Sequence, residues 1–387
     1  MPSISRRVQA IKISDTKLMP MIAAKVGGCV SLGQGVPSFA TPEHVVDAVC
    51  SALRQDSAAG KYTLQPGLPA LREAVAELLG SEKGVQADPE TEIVITVGAM
   101  EALLAAILTL VERGDEVLIP SPYYASHVEQ ILLAEGVPVP VPLRSEDWGL
   151  DLEAMERAVT SRTKAVLLCN PSNPTGAVYP DADLKALAAL CERHGLFVIT
   201  DETYDSLTFD SPMPMSLASL PELAGRVILV NSFSKRFALT GWRVGYAYAA
   251  KPLMDEMLKV HDCTAICAPA PSQAAALAAL TGPQDIFVQM GASLKARREL
   301  ACARLDELRD HFSYVRPGGA FYIMARYLFS SESSREMAQR MIREARVVTI
   351  PGGAFGPEGD GHLRLSYGAS EKEINEAFDR IQSWVLL

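Results

Sequence analysis

The chain has 387 residues, of which 48% are apolar and 21% are charged. This composition can bury a large interior, so it excludes a disordered acidic polymer and suits two domains, or one large domain with a smaller companion. A net charge of −10 argues against nucleic acid or an anionic membrane as the main partner.

The cysteines, the histidines and the N-terminal residues narrow the class further. Seven cysteines form no CxxC pair, and an odd number is typical of a reduced intracellular protein. The histidines lack ligand spacing such as HExxH, so we expect no metal site. The start, MPSISRRVQAIKIS, has no apolar signal-peptide core, and no apolar run is long enough to span a bilayer. We therefore expect a soluble, cytoplasmic protein.

The first hundred residues alternate irregular segments with helices. In SLGQGVPSF, Gly35 either lets the backbone approach a ligand or forms a plain turn. The segment TPEHVVDAVCSAL predicts a helix with Thr41 as its N-cap. A polar loop around Tyr62 then precedes the helical pattern LPALREAVAELL. Tyr62 is either a packing aromatic or a hydroxyl that reaches a ligand.

The run EIVITVG predicts a buried strand that passes through Gly98, Ala99 and Met100 into the helix EALLAAILTLVE. Such a junction aims backbone amides and a helix N-terminus at a phosphate. It is also an ordinary connection between a strand and a helix, and both readings remain open.

The alternation of strands and helices continues and predicts a doubly wound, mainly parallel seven-stranded sheet. The strands are read from EIVITVG, DEVLIP, VPVPVPL, TKAVLLCNP, LFVITDETY, RVILVNSFS and WRVGYAYAA. Asn173, Asp201 and Lys235 each follow a strand. Because ligands of such sheets bind at the carboxyl ends of the strands, we expect these three side chains to lie together.

The C-terminal part has a different pattern. A long helix from residue 285 is followed by short strands and two helices, which predicts a compact α+β domain. We expect an N-terminal segment, 1–40, that packs with this small domain (281–387), and a large domain at 41–280.

The segment NSFSKRFALTGWRVG places Lys235 close to Ser232, Ser234 and Arg243. A lysine that reacts with carbonyl groups must be neutral part of the time, and burial beside other cations favours that state. Two hydroxyls and a guanidinium suit a phosphate ester. Together they point to a lysine that binds pyridoxal 5′-phosphate; the alternative is a solvated loop lysine.

Two further segments extend this hypothesis. In NPSNPTG, two X-Pro steps hold Asn173 on a rigid extended loop. Asp201 ends an apolar strand, where an unpaired carboxylate is costly, so it needs a cation or a donor. A protonated pyridine nitrogen is such a partner. Tyr204 and Asn173 could both donate to the phenolic oxygen of the same ring.

At these motifs the sequence resembles the class I aminotransferases of PLP fold type I, over essentially the whole chain. It is most similar to the bacterial aspartate and aromatic aminotransferase branch. The matching segments, in order, are SLGQGVPSF, KYTLQPGLPALREA, TVGAMEAL, SPYY, NPSNPTG, DETY, SFSKRFALTGWRVGY and HLRLSYG. The resemblance implies transfer of an amino group from an L-amino acid to a 2-oxo acid such as 2-oxoglutarate.

The resemblance also implies roles at the cofactor. Lys235 would bind the cofactor covalently and carry the proton, Asp201 would pair with the ring nitrogen, and Asn173 and Tyr204 would donate to the ring oxygen. The residues that would hold the phosphate are Gly98, Ala99, Met100, Ser232, Ser234 and Arg243.

At the substrate, Arg364 would grip the α-carboxylate, with Asn173 and the Gly35 backbone beside it. Tyr124 would stack on the ring, although its neighbour Tyr123 leaves that assignment one residue uncertain. Tyr62 would reach the phosphate from the other subunit of a homodimer with shared active sites.

One departure from the family pattern affects the substrate. Close aspartate-type relatives carry a lysine where this chain has Met100, so a preference for acidic substrates is in doubt. Further candidates for the pocket wall are Phe321 or Tyr322, Tyr124 and the segment near Ile13. The missing charge could come from Lys17, from an unassigned arginine or from residues of the neighbouring subunit.

Two other functions remain possible from the sequence. The same fold and cofactor serve carbon-sulfur and other β/γ lyases. A regulator that binds the cofactor without turnover is the third reading, and the acidic charge and the lack of an added DNA-binding segment count against it.

Overall fold

The structure is a computed structural model and describes residues 4–11 and 13–386. Its α-helices are α1 (Arg6–Gln9), α2 (Asp15–Val26), α3 (Glu43–Gln55), α4 (Pro69–Lys83), α5 (Gly98–Leu110), α6 (Ala125–Leu133), α7 (Leu152–Ala158), α8 (Asp181–His194), α9 (Phe233–Arg236), α10 (Lys251–Ala265), α11 (Ala270–Thr281), α12 (Asp285–Asp306), α13 (Ser334–Glu344) and α14 (Glu371–Val385). None of these helices is long and apolar enough to cross a membrane.

The strands of the same residues form three sheets. They are β1 (Val30–Ser31), β2 (Ile93–Thr96), β3 (Glu116–Ser121), β4 (Val137–Pro142), β5 (Thr163–Cys169), β6 (Phe197–Asp201), β7 (Val227–Ser232), β8 (Gly245–Ala249), β9 (Phe312–Tyr314), β10 (Tyr322–Tyr327), β11 (Val347–Val348), β12 (Ile350–Pro351) and β13 (His362–Ser366).

The largest sheet has seven strands in the order β2-β8-β7-β6-β5-β3-β4. Strands β4, β3, β5, β6 and β7 run parallel, whereas β8 is antiparallel to both of its neighbours. The prediction of a mainly parallel seven-stranded sheet is therefore confirmed. Cys169 pairs in register with Asp201, and Asp201 pairs with Val230, so the carboxyl ends of β5, β6 and β7 lie side by side.

Alternate residues of the central strands enter different cores, because successive side chains of a strand point to opposite faces. In β5, Val166 and Leu168 pack with α7 and α8, whereas Ala165 and Leu167 pack with α5 and α10. Helices thus cover both faces of the sheet, as expected for a parallel sheet with apolar strands. The loops after the strand ends are left free to form a site.

The C-terminal part has its own antiparallel sheet, ordered β12-β13-β10-β9. The N-terminal segment joins it, since β1 pairs in parallel with β11 and Met19 and Leu32 lie in its core. On this basis we propose the division into an N-terminal segment at 1–40, a large domain at 41–280 and a small domain at 281–387.

Two local predictions were wrong. Helix α3 begins at Glu43 with Pro42 in the N-cap position and no side-chain cap. Thr41 instead accepts a hydrogen bond from the Trp242 indole, at 2.9 Å. Strand β8 begins only at Gly245, because Arg243 adopts a left-handed conformation with φ of 54° that interrupts extended backbone.

Candidate active site

A cavity of about 660 Å³ opens beyond the carboxyl ends of β5, β6 and β7. Residues of α2, the large sheet and the C-terminal sheet all contribute to its wall. The residues expected in the site that line it are Gly35, Ala99, Met100, Tyr124, Asn173, Asp201, Tyr204, Ser232, Ser234, Lys235, Arg243 and Arg364. The fold therefore brings together twelve side chains or backbone segments that were singled out from separate motifs.

Lys235 lies on the short helix α9, directly after β7. The Ser232 hydroxyl caps this helix by accepting from the Ser234 amide at 3.1 Å. The Lys235 amine donates to the Gly35 carbonyl at 2.5 Å. Burial, together with the nearby Arg364 and Arg243 charges, lowers the pKa of Lys235 to about 8. A substantial fraction of the amine is therefore neutral near physiological pH.

Asp201 ends β6 and is buried. His127 Nε2 lies 3.0 Å from one carboxylate oxygen, while the Thr203 amide and hydroxyl donate to the other at 3.1 and 2.6 Å. Burial alone would raise the pKa of Asp201, but the His127 and Thr203 contacts outweigh it and the pKa is lowered. The carboxylate thus stays ionised at the cavity wall.

His127 and Thr203 were missed by the sequence analysis. His127 lies on α6, three residues after Tyr124, and the two rings pack edge to face with their centroids 5.3 Å apart. That spacing places two residues on one face of a helix, which was the available signal. Nothing in the local sequence indicated that His127 would face Asp201, 74 residues further along the chain.

Arg364, on β13, is buried in the opposite wall. Its guanidinium donates to Asn173 Oδ1 at 3.0 Å and to the Gly33 carbonyl at 2.9 Å, and it packs over the Tyr322 and Phe355 rings. The Arg364 Nε has no partner among residues 4–11 and 13–386. A buried fork with a free donor suits a carboxylate.

The Tyr204 hydroxyl lies 2.9 Å from the Tyr322 hydroxyl, and Asn173 Nδ2 donates to it at 3.5 Å. Burial raises the pKa of Tyr204 well above its usual range, so its hydroxyl remains protonated and can donate. Of the two aromatic candidates for the wall, Phe321 and Tyr322, it is Tyr322 that lines the cavity.

One end of the cavity combines amides, hydroxyls and a guanidinium. Ser232 and Ser234 lie with their hydroxyls 2.8 Å apart, and Arg243 donates to the Thr240 carbonyl at 3.0 Å. A Cβ on Gly98 would lie 2.7 Å from Arg243 Nη2, so only glycine lets the start of α5 come this close. Gly98 lies behind the wall, and Ala99 and Met100 form it.

The cavity wall also has an apolar part and a further lysine. The apolar part of the wall includes Pro20, Val36, Leu103 and the Met100 side chain, and Lys17 of α2 also lines the cavity. Ile13 is exposed and lies outside the residues that line the cavity.

Of the tyrosines proposed to contact the cofactor, Tyr124 lines the cavity and Tyr62 does not. Tyr124 lines the cavity, whereas Tyr123 is held behind it by its amide, which donates to the Phe355 carbonyl at 2.7 Å. Tyr62 is 77% exposed and does not line the cavity of this single chain. Gly35 contacts Lys235, and it is the Gly33 carbonyl that accepts from Arg364.

A fold-type-I α/β architecture, with a buried lysine and carboxylate at the strand ends, defines the class of protein. The family model described as aminotransferase class I and II matches residues 28–381. The chain belongs to this family, and its reaction is the transfer of an amino group to a 2-oxo acid.

Individual relatives are similar to this chain over nearly its full length. The aromatic-amino-acid aminotransferase 2 of Thermococcus litoralis and the aspartate aminotransferase of Pyrococcus abyssi are each 37% identical over 383 residues, which is 98% of this chain and 97% of each relative. The solved structure of Thermus thermophilus aspartate aminotransferase with maleate has a TM-score of 0.93 at 36% identity, and covers 99% of this chain and 100% of that one. The aminotransferase prediction is confirmed.

Proposed function

We propose that this enzyme uses pyridoxal 5′-phosphate in the cavity and transfers the amino group of apolar and aromatic L-amino acids, as well as dicarboxylic ones, to 2-oxoglutarate. The observation that carries the proposal is the convergence of three groups on one cavity. These are the Lys235 amine with its lowered pKa, the ionised Asp201 carboxylate, and the anion-binding end around Arg243.

The residues present fit this cofactor. Hydroxyls, backbone amides at the start of α5 and a guanidinium match the acceptors of a phosphate ester, and Gly98 leaves room for Arg243 among them. Arg364 Nε, which has no hydrogen-bond partner in the described part of the chain, matches a substrate carboxylate. The cavity therefore has one anion site for the cofactor and a second for the substrate.

Pyridoxal 5′-phosphate, when bound, supplies an aldehyde that combines with amines and a ring that draws electrons from the substrate α-carbon. In the proposed roles, Lys235 binds the aldehyde and later accepts the α-proton, which its lowered pKa favours. Asp201, held by His127 and Thr203, would stabilise positive charge on the ring nitrogen. Tyr204 and Asn173 would donate to the ring oxygen, and Tyr124 would stack on the ring.

The proposed substrate range rests on the apolar part of the cavity wall. Apolar and aromatic side chains match the wall at Pro20, Met100 and Leu103, whereas a carboxylate there needs a cation. We assign that task to Lys17, which lines the cavity and is exposed enough to turn in or out. One pocket can then accept a neutral donor and a dicarboxylic acceptor in turn.

Replacing Lys17 by glutamine is expected to raise KM for 2-oxoglutarate about tenfold and to leave kcat/KM for phenylalanine within twofold, because only the acceptor has a distal charge. The measurements, in the wild type and the variant, are KM for 2-oxoglutarate and kcat/KM for aspartate, glutamate, alanine, methionine and phenylalanine with that acceptor. The matched control is Lys25→Gln, an exposed lysine in the last turn of the same helix. A strong wild-type preference for aspartate over every neutral donor would refute the proposed range.

We propose that the working form is a homodimer in which Tyr62 reaches the phosphate site of the neighbouring subunit, as the resemblance implies. Its 77% exposure in the single chain is consistent with a partner-facing position. Tyr62→Phe is expected to weaken binding of pyridoxal 5′-phosphate to the apoprotein about tenfold, through loss of one hydroxyl. Titration of the apoprotein measures this effect. Sedimentation during assay tests the dimer, and a fully active monomer would contradict it.

A further inference from the structure

The last turn of α4 reaches the residues that flank the proposed catalytic groups. Lys83, the final residue of this helix, is 6% exposed, and its amine lies 2.7 Å from Glu202 Oε2 and 2.5 Å from Asp205 Oδ2. Glu202 follows Asp201 directly, and Asp205 follows Tyr204. Lys83 itself does not line the cavity.

Lys83 is the only cation within ion-pair distance of these two carboxylates in the described chain. The other side-chain donors are neutral: Ser216 donates to Glu202 Oε1 at 2.6 Å, and Asn231 donates at 2.7 Å to Asp205 Oδ2, the oxygen that Lys83 also contacts. Burial alone would lower the pKa of Lys83, but the two carboxylates outweigh it and raise the pKa well above its ordinary value. Lys83 is therefore charged at physiological pH.

The neighbouring residue, Glu82, makes a second connection. Its carboxylate forms a two-point ion pair with Arg236, at 2.6 and 2.7 Å, and Arg236 follows Lys235 on α9. Two consecutive residues of α4 thus hold the segments that carry Lys235 on one side and Asp201 and Tyr204 on the other. Only the Lys83 contacts are fully buried, so they are the stronger constraint.

We propose that Lys83 is a positioning residue for the amino-transfer reaction, which fixes the turn from Asp201 to Asp205 relative to α4. The inference rests on the proposed roles of Asp201 and Tyr204. Without Lys83, two buried carboxylates would lie together uncompensated, and the turn between them would move or take up a proton. A shift of about 1 Å at Asp201 is enough to lower the rate by about 10²-fold.

The test is Lys83→Met, which keeps an unbranched side chain but removes the charge. We expect kcat to fall tenfold or more with KM for phenylalanine and for 2-oxoglutarate within threefold, because Lys83 touches neither substrate. The matched control is Arg298→Met, which also removes a buried cation from two carboxylates, Asp210 and Glu299, although these are about half exposed; none of the three lines the cavity or belongs to the turn from Asp201 to Asp205. Both variants should lose thermal stability. When assayed at a temperature at which it is folded, the control should keep a kcat within twofold of the wild-type value.

A second readout separates positioning from general destabilisation. Adding Lys83→Met to an Asp201→Asn enzyme should slow the single-turnover reaction with phenylalanine less than threefold, because Lys83 acts through Asp201. The same tenfold loss in both backgrounds would overturn the proposal. Binding of pyridoxal 5′-phosphate to each apoprotein is titrated in parallel, and we expect a weakening of threefold or more for Lys83→Met and none for Arg298→Met.

If Lys83→Met does not yield folded protein, the positioning role is tested instead by measuring kcat of Glu202→Gln, with Glu299→Gln as its control. A loss of kcat of threefold or more in Glu202→Gln alone supports the positioning role, and wild-type kcat in that variant overturns it. A wild-type enzyme without transamination dependent on pyridoxal 5′-phosphate would instead overturn the proposed function. Equal kcat in the wild type and Lys83→Met would overturn this inference and leave the proposed function standing.

Discussion

Replacing Lys235 by alanine is expected to lower kcat about 10⁴-fold. In the proposed role this one amine both binds the cofactor and carries the α-proton, so the substitution removes both functions. The fold should persist, since the change shortens one side chain at the edge of the cavity. The measurement is a single-turnover reaction with phenylalanine, followed through the cofactor absorbance. Melting of the apoprotein serves as the check on folding.

Borohydride reduction of the wild-type holoenzyme, followed by peptide mapping, identifies the lysine that holds the cofactor. Among residues 4–11 and 13–386, Lys17 is the other lysine that lines the cavity, so it is the natural internal control. We expect the reduced cofactor on Lys235. Finding it on Lys17 or on any other lysine would refute the assignment.

The same variant has a second, independent readout in the pH dependence of stability. The pKa of Lys235 is about 8 in the folded protein against an ordinary value of 10.5, so between these values the folded chain binds fewer protons than the unfolded chain. Stability of the wild-type apoprotein relative to Lys235→Ala should therefore rise as the pH rises from about 8 to 10.5, by at most about 3 kcal/mol. Denaturant titration of both apoproteins across this window measures the difference. No change would contradict a buried amine with a lowered pKa.

Replacing Asp201 by alanine is expected to lower kcat by about 10²- to 10³-fold, whereas Tyr204→Phe should cost about tenfold or less. Asp201 makes a charged contact that helps the ring withdraw electrons, whereas Tyr204 supplies one of two neutral donors to the ring oxygen. Asn173 remains to donate when the Tyr204 hydroxyl is lost. The comparison uses kcat for one donor and one acceptor in both variants.

Two controls accompany this comparison. Titration of each apoprotein with pyridoxal 5′-phosphate allows kcat to be measured at saturation, so that weak binding is not mistaken for slow chemistry. Thr203→Val removes one donor to Asp201 but keeps the Asp201 carboxylate. Its loss of kcat should lie between those of Tyr204→Phe and Asp201→Ala. Equal losses in Asp201→Ala and Tyr204→Phe would contradict the assigned roles.

Much of the architecture could be predicted from the sequence because its signals are local. Seven apolar runs of strand length, separated by helical patterns, became the seven strands of the large sheet. The position of a residue just after a strand was enough to bring Asn173, Asp201 and Lys235 to one edge, since parallel strands end together. Thr41 shows the limit of local signals: a good N-cap residue was diverted to a hydrogen bond with Trp242, which is 201 residues away.

The sequence by itself thus determined the sheet, the order of its elements and the chemistry of the side chains at its edge, because periodicity and strand ends are properties of neighbouring residues. Only the tertiary structure decided which partner each buried polar group received. His127 meets Asp201 across 74 residues, Arg364 meets Asn173 across 191, and Lys83 meets Glu202 across 119. A buried charge must find a partner wherever the packed chain offers one, and sequence spacing carries no record of that choice.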